Sequence, residues 1–343
     1  MAGEAPQVSI LIAAYNEESV IRNRIQNALD LDYPADRINI VVGSDGCSDR
    51  TDDEVKSISD PRVRLLSYPD RGGKASALNR CVPETECEIV VFTDANTFFE
   101  RDALRALVRP FADERVGGVC GRLRMRSHGQ VIGGANALHR SYEDFLKSKE
   151  SAIHSCTGAN GAIYAVRKEA YPFPDPDSVT EDFAITLQLV KDGWRVVFAD
   201  DAVAYEESLG DVRRLLRQKS RIAAGTFQTL WRFRSLLMPA RSPIAWQLFS
   251  HKLLRHLSPF FLLGAFVTSA LLIGDRLYGV LFGAQVCFYA AAIGAWLLDA
   301  AHLPCGLLKI PYFFCFINLA ALLGFVKFVF GRQRVTWRGV RQP

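Results

Sequence analysis

The chain has 343 residues, 49% hydrophobic and 23% charged, enough for one large domain or two medium ones. The average hides a split: residues 1–239 carry 31 Lys and Arg against 35 Asp and Glu, while 240–343 carry 10 against only Asp275 and Asp299. The late basic residues flank apolar runs instead of forming a stripe, so composition argues against a nucleic-acid partner and for a membrane surface. Met1-Ala2-Gly3-Glu4-Ala5-Pro6 lacks a basic leader, so no signal peptide is expected. The eight cysteines form no CxxC pair and read as free thiols of a reducing compartment.

In chain order, Val8 to Ala14 reads as a buried strand, and Tyr15-Asn16-Glu17-Glu18 ends it and opens a helix to about Leu31. Ile38 to Val42 is a second strand, broken by the turn-rich Gly43 to Asp49. A helix from Thr51, a strand over Val63 to Ser67 and a short helix after Arg71-Gly72-Gly73-Lys74 follow. Ile89 to Phe92 is a continuous β-branched and aromatic run, the pattern of a strand covered on both faces, and it ends in Asp94. Helix over Arg101 to Arg109, extended chain over Val116 to Met125 and a helix over Ala135 to Glu150 come next. The small-residue loop Cys156 to Gly161 leads into a strand over Ala162 to Val166. After the proline-rich loop Tyr171 to Asp177, Val179-Thr180-Glu181-Asp182 enters a helix to about Lys191. Asp211 to Phe227 reads as a basic helix. Alternation of this kind predicts an α/β fold around a mostly parallel, doubly wound sheet, with the domain spanning 1–239.

Residues 240–343 read as a second, helical region. Ile244 to His256 is amphipathic, as an interfacial helix would be. The uncharged runs Leu257–Ile273, Leu277–Leu298 and Ile310–Val326 approach the ~20 residues of helix that cross a bilayer. Three full spans below a cytosolic domain would leave Arg332, Arg334, Arg338 and Arg341 outside, against the positive-inside tendency. The run Ile310–Val326, with Pro311 and Asn318, is therefore the candidate for a re-entrant or interfacial segment.

Glu17, Asp45, Asp94 and Asp182 all fall at strand ends or helix starts. Singly, each is more often a cap or turn residue. On a parallel sheet they would share one edge, the edge at which open α/β sheets bind ligands. Acids for a ribose and a metal, with cations at Lys74 and on the basic helix at Arg221 beside Gln218, describe a nucleotide-diphosphate site. The Arg71–Lys74 stretch lacks Walker spacing.

Six motifs carry a resemblance: Ala14-Tyr15-Asn16-Glu17-Glu18, Ser44-Asp45-Gly46-Cys47-Ser48-Asp49, Gly73-Lys74-Ala75-Ser76-Ala77-Leu78-Asn79, Thr93-Asp94-Ala95-Asn96, Thr180-Glu181-Asp182 and Gln218-Lys219-Ser220-Arg221. In this order they resemble the membrane-bound family 2 glycosyltransferases, the group of cellulose, chitin and hyaluronan synthases. The resemblance covers about Val8 to Ile222 and implies a Rossmann-like GT-A fold. It also implies inverting transfer of a hexosyl or N-acetylhexosaminyl group from a nucleotide sugar, most often a UDP-sugar.

By motif, Ala14, Tyr15, Glu17 and Asp45 would contact the nucleoside, and Lys74, Gln218 and Arg221 the diphosphate. Asp94 and Asn96 would serve Mg²⁺ or Mn²⁺. Gly158, Ala159, Asn160, Gly161 and Glu181 would line the acceptor site, and Asp182 would be the base. Of the adjacent acids, only one is expected to face the pocket, since helical neighbours diverge by about 100°.

Two departures stand out. Asn96 replaces the second carboxylate of the usual Asp-x-Asp, a weaker ligand for a hard cation. Ile222 stands where polymerising members carry Trp, which favours transfer of one or a few sugars to a lipid or lipid-linked acceptor over a processive polysaccharide synthase. The expected location is a multi-pass membrane protein with a cytosolic catalytic domain. The competing readings are a GT-A-like nucleotidyltransferase and a membrane-anchored nucleotide-binding scaffold without transfer.

Overall fold

A computed structural model describes residues 5–126, 131–207, 211–238, 242–301, 303–332 and 336, with 131–138 described by their backbone path alone. The described chain divides into two compact units, one of residues 5–126 and 142–207, the other of 131–141 and 211–332.

The first unit is built on an eight-stranded sheet. Its elements are β1 (Val8–Ala14), α1 (Ile21–Leu29), β2 (Ile38–Asp45), α2 (Thr51–Lys56), β3 (Val63–Tyr68), α3 (Lys74–Cys81), β4 (Ile89–Asp94), β5 (Thr97–Phe99), α4 (Ala103–Val108), β6 (Val116–Arg126), α5 (Val131–Ile153, which divides between the units), β7 (Tyr164–Arg167), α6 (Glu181–Lys191) and β8 (Arg195–Glu207). The strand order is β3-β2-β1-β4-β7-β6-β8-β5. Strands β1 and β4 are the apolar runs of the sequence. Every residue of β1 is buried, as are Ile89 to Phe92 of β4. Full burial of such side chains contributes roughly 1.5–3 kcal/mol each.

The sheet is mostly parallel, as expected, with two of its eight strands reversed. Strands β3, β2, β1 and β4 run parallel, as do β6 and β8, but β7 is antiparallel to β4 and β6, and β5 is antiparallel to β8. Apolar runs mark a strand without its direction; the direction depends on which edge the preceding connection delivers the chain to. The reversal matters for function. Phe92 pairs with Tyr164 and Ile89 with Arg167, so β7 begins at the carboxyl edge of β4. The loop Cys156 to Gly161 therefore sits at the Asp94 edge. Strands β5 and β8 lay outside the sequence reading: one is three residues long, and the other carries Asp200 and Asp201 mid-strand.

The second unit contains α7 (Val212–Arg232), α8 (Pro243–Gln247), a π-helical segment (Leu248–Leu254), α9 (Arg255–Leu271), α10 (Arg276–Ala300) and α11 (Lys309–Val329). Asp211 caps α7, its side chain accepting from the Arg213 amide at 2.8 Å. Among the described residues three helices are long and apolar enough to cross a membrane: Pro243–Leu271, Arg276–Ala300 and Gly306–Val329. The amphipathic stretch and the first apolar run thus form one continuous helix. Pro259 has no amide to give the Arg255 carbonyl, and the Ser258 hydroxyl lies 2.8 Å from that carbonyl, its one proton shared with Asn318 Oδ1. Helix α11 is likewise unbroken, since Pro311 falls in its first turn, where no intrahelical donor is required. Asn318 bonds within α11 to Phe314 O (2.9 Å) and accepts from Ser258 of α9 (2.5 Å). Of the terminal arginines, Arg334, Arg338 and Arg341 lie outside the described residues.

Candidate active site

The parallel half of the sheet presents three strand ends side by side. Ala14 closes β1 opposite Ser44, and Asn16 follows in a left-handed conformation (φ 54°). Asn tolerates that region when its amide bonds locally. Here Asn16 donates to Ser48 Oγ (3.0 Å) and accepts from the Ser48 amide (2.8 Å), tying the β1 and β2 loops together. Glu17 is buried, and its amide donates to Thr51 Oγ1 at 2.8 Å. The Arg71 guanidinium lies 3.5 Å over the Tyr15 ring.

Asp45 closes β2 and is 1% exposed. Its Oδ1 accepts from Gly72 N and its Oδ2 from Gly73 N, both at 2.8 Å. Gly73 has φ 90°, a conformation that a side chain would strain, immediately before α3 begins at Lys74. Asp45 therefore holds the Arg71–Lys74 segment in place and delivers Lys74 to the interior.

Lys74 is the hub. Its Nζ lies 2.6 Å from Asp94 Oδ1 and 2.9 Å from Glu181 Oε1, and donates to Gly161 O at 3.2 Å. Burial opposes its charge, but Asp94 and Glu181 outweigh that and push its pKa up. In this state Lys74 faces the acid centre, whereas the motif reading aims it at a diphosphate.

Asp182 follows Glu181 in the first turn of α6, and its Oδ1 accepts from the Phe183 amide at 2.8 Å. A Cβ on Gly161 would lie 3.2 Å from Asp182 Oδ2 and 3.3 Å from Lys74 Nζ. Both neighbouring acids thus converge on one centre, against the expectation that only one would. Glutamate has the reach to curl back to Lys74. Its carboxylate is buried and paired with Lys74. Burial first, then the adjacent Glu181 charge, push the Asp182 pKa up to about 6; Lys74, the Phe183 amide and Lys147 oppose the rise.

The loop beside Asp182 is anchored by two buried side chains of α5. Glu150 accepts from the Thr157 amide (2.9 Å) and hydroxyl. Lys147 donates to Asn160 Oδ1 at 2.7 Å. The Asn160 Nδ2 donates to Gly121 O (3.1 Å) and its backbone N–H to Cys120 Sγ (3.3 Å). The Ala159 amide donates to Thr186 Oγ1, which donates to Asp182 O. Asn160, expected to touch an acceptor, spends its side chain holding the loop; Gly158, Ala159 and Gly161 offer backbone.

Lys147, Glu150, Thr186 and the wholly buried Arg24 were not singled out in the sequence. Arg24 donates to Asn27, which clamps Phe99 of β5 through both amide and carbonyl. Burial pushes the Arg24 pKa down to about 9, with Asp94 opposing. A charged residue inside a helical repeat reads as a solvated face unless its partner is known, so no sequence signal marked these residues.

Asp94 Oδ1 is taken by Lys74, which leaves Oδ2, and the side chain is 37% exposed. Asn96 Nδ2 donates to Glu206 Oε1 at 3.0 Å, which leaves Oδ1 as an acceptor. Two oxygens on one tight turn fit an edge of a hard-cation shell. Among the described residues no three His, Cys, Asp or Glu side chains could hold a metal together, so the remaining ligands would come from a bound diphosphate and water. Gln218 and Arg221 lie on α7 in the second unit, where Ile222 is 38% exposed.

The sequence model of the family described as "Glycosyltransferase like family 2" matches residues 6–225, well over half of the chain. The chain belongs to the glycosyltransferase-like family 2. It is 30% identical over 247 residues to "Probable glycosyltransferase YdaM" of Bacillus subtilis, covering 67% of this chain and 57% of that protein. It is 27% identical over 251 residues to "Poly-beta-1,6-N-acetyl-D-glucosamine synthase" of Staphylococcus aureus, covering 70% and 60%. The matches thus span about three-fifths of these relatives' lengths. The structure is similar to that of a mannosyltransferase from Pyrobaculum calidifontis solved in complex with GDP-Man and Mn2+. The TM-score is 0.70 at 22% identity, covering 96% of this chain and 88% of the other. That likeness establishes the GT-A fold for this family 2 member.

Proposed function

We propose that the chain catalyses inverting transfer of a hexosyl or N-acetylhexosaminyl group from a nucleotide-diphosphate sugar to a lipid, lipid-linked or glycan acceptor. The observation that carries this reading is the cluster in which Asp94 and Glu181 pair with Lys74, and Lys74 and Asp182 meet Gly161, at the carboxyl edge of β4. A nucleotidyltransferase reading gives no role to a base held beside an acceptor loop, and a scaffold has no use for one.

In the proposed reaction Asp182 accepts the proton of an acceptor hydroxyl as that oxygen bonds to the anomeric carbon. The bond from that carbon to the donor's phosphate oxygen breaks, and the electron pair leaves with the nucleoside diphosphate. Glu181 holds Lys74, and Lys74 holds the Gly161 carbonyl, so base and loop keep one geometry. Asp94 and Asn96 would hold a divalent cation, which would supply charge neutralisation for the leaving diphosphate. Gln218 and Arg221 are proposed to serve the same charge, as the motif implies. Tyr15, Glu17 and Asp45 with Ala14 form the proposed nucleoside wall, and a UDP-sugar is the proposed donor class.

Functionally the chain is proposed to divide into a catalytic domain (1–239) and a membrane region (240–343), multi-pass, with the catalytic domain cytosolic. Ile222 favours one or a few transfers. The test is incubation of the purified full chain with UDP-N-acetylglucosamine or GDP-mannose and a membrane-lipid extract. A β-linked glycolipid from UDP-N-acetylglucosamine supports the reading. An α-linked product, or none from either donor, refutes it.

A further inference from the structure

Lys147 stands out among the buried charges. It is 6% exposed, yet among the described residues no carboxylate lies within ion-pair distance of it. Its ammonium has three protons, and the contacts made are Asn160 Oδ1 at 2.7 Å and Cys120 Sγ at 3.7 Å. Burial opposes that charge, and Cys120, Glu143, Cys156 and Asp144 outweigh it from beyond ion-pair distance, so the ammonium stays charged beside a loop that it grips through a neutral amide. A methionine would fill the same space without the desolvation cost.

The placement of Lys147 suggests what the charge does. Asn160 is fixed at all its polar atoms: Oδ1 by Lys147, Nδ2 on Gly121 O, N–H on Cys120, and its carbonyl by the Ile163 amide at 3.0 Å. The next residue is Gly161, the contact point of Asp182 and Lys74. We propose that Lys147 is a positioning residue, whose buried ammonium locks Asn160, and through it Gly161, against Asp182 and supplies a second positive charge beside that of Lys74. This inference rests on the transferase reading of the site.

The charge follows the same geometry. The titratable groups facing Asp182 are Glu181 on its own helix, Lys74 on α3, Lys147 on α5, Cys120 on β6 and Tyr164 on β7. Glu181 and burial favour the protonated carboxyl; Lys74 and Lys147 favour the carboxylate. Lys74 is in direct ion pairs with Asp94 and Glu181, whereas Lys147, faced by Glu143 and Asp144 of its own helix and by Cys120 and Cys156, makes no ion pair among the described residues.

The full-length protein in detergent is assayed for hydrolysis of UDP-N-acetylglucosamine and GDP-mannose between pH 5 and 9, as parent, Lys147→Gln, Lys147→Met and Lys147→Arg. The glutamine keeps an N–H donor for Asn160 but no charge. For Gln and Met the expected result is a kcat at least tenfold lower at pH 6.5, a half-maximal pH at least 0.5 unit more alkaline, and a donor KM within threefold of the parent. Lys147→Arg should restore the parent midpoint. A folded Lys147→Gln protein with the parent's midpoint and kcat would overturn the proposal.

If the parent turns over neither donor, the transferase reading fails, and the pair is judged by thermal unfolding across pH 4–7. There the Asp182→Asn substitution should change the pH dependence more in the Lys147→Gln background than in the parent. An equal change in both backgrounds refutes the coupling without reference to turnover. If neither Gln nor Met folds while Arg does, the charge is shown to be structural, which also refutes the proposal.

Discussion

At the scale of single residues the site is a charge balance around Gly161. Asp182→Asn is nearly isosteric but cannot take a proton at neutral pH. Turnover should fall about 10²–10⁴-fold, the usual worth of a general base, while donor affinity measured by calorimetry stays within a few-fold. A mere helix-start acid would cost only about 0.5–2 kcal/mol of stability and leave turnover intact.

The raised pKa sets a paired expectation for pH. As the proposed base, Asp182 must be deprotonated, so turnover should rise through about pH 6 and level off above it. Stability moves the other way. A carboxyl whose folded pKa lies above its unfolded value of about 3.9 favours the fold below that pH, and this contribution is lost as pH rises through the folded pKa. Thermal scans from pH 4 to 7 should show this group's contribution falling while activity climbs, and Asp182→Asn should remove both trends. Gly161→Ala places a methyl 3.2 Å from Asp182 Oδ2 and 3.3 Å from Lys74 Nζ. It should lower turnover at least tenfold with little change in donor KM, since in the proposed reaction the crowded groups serve the acceptor. Equal kcat in the alanine variant would show that this contact is slack.

At the scale of elements, two packings carry the arrangement. Strand β7 runs against β4 and so brings its leading loop to the Asp94 edge, where Glu150 and Lys147 of α5 hold it. In the second unit α11 lies against α7 through a glycine. A Cβ at Gly324 would meet the Ala223 Cβ at 2.5 Å and the Ala224 amide nitrogen and Ser220 carbonyl at 2.9 Å, and Lys327 reaches Ser220 Oγ at 2.6 Å. Backbone cannot yield as a flexible side chain would. Gly324→Val should therefore destabilise the packing by about 1–3 kcal/mol, the usual cost of overpacking. Proteolysis rates of the detergent-solubilised variant, compared with the parent, measure it. Unchanged protection would mean that the two helices separate freely.

At the scale of the whole molecule, the expectations concern the cation and the membrane. Excess EDTA should abolish transfer, and Mn²⁺ or Mg²⁺ should restore it, because Asp94 and Asn96 offer only two oxygens between them and the leaving charge needs more. Full turnover in EDTA would remove the cation from the mechanism. The three apolar helices should hold the full-length protein in the membrane fraction through a carbonate wash. Recovery in the supernatant without detergent would contradict a spanning arrangement.

The amino-acid order by itself determined where most elements lie and which acids stand at their ends. β1 and β4 match their expected boundaries at Val8–Ala14 and Ile89–Asp94, because strands covered on both faces read as nearly continuous apolar runs. The boundary of α1 was less legible. The helix starts at Ile21, after a turn in which Val20 and Ile21 both donate to the Glu17 carbonyl, and acidic residues suit such a turn as well as a helix start. Tertiary structure alone decided strand direction, since pairing depends on where distant connections leave the chain. It alone decided the partners of charged groups: Asp45 on two glycine amides, Glu181 on Lys74, Lys147 on Asn160. A side chain's identity states that it can carry charge or donate a hydrogen bond. Which group it meets, and hence whether it grips a ligand or holds a loop, is fixed by residues tens of positions away that fold against it.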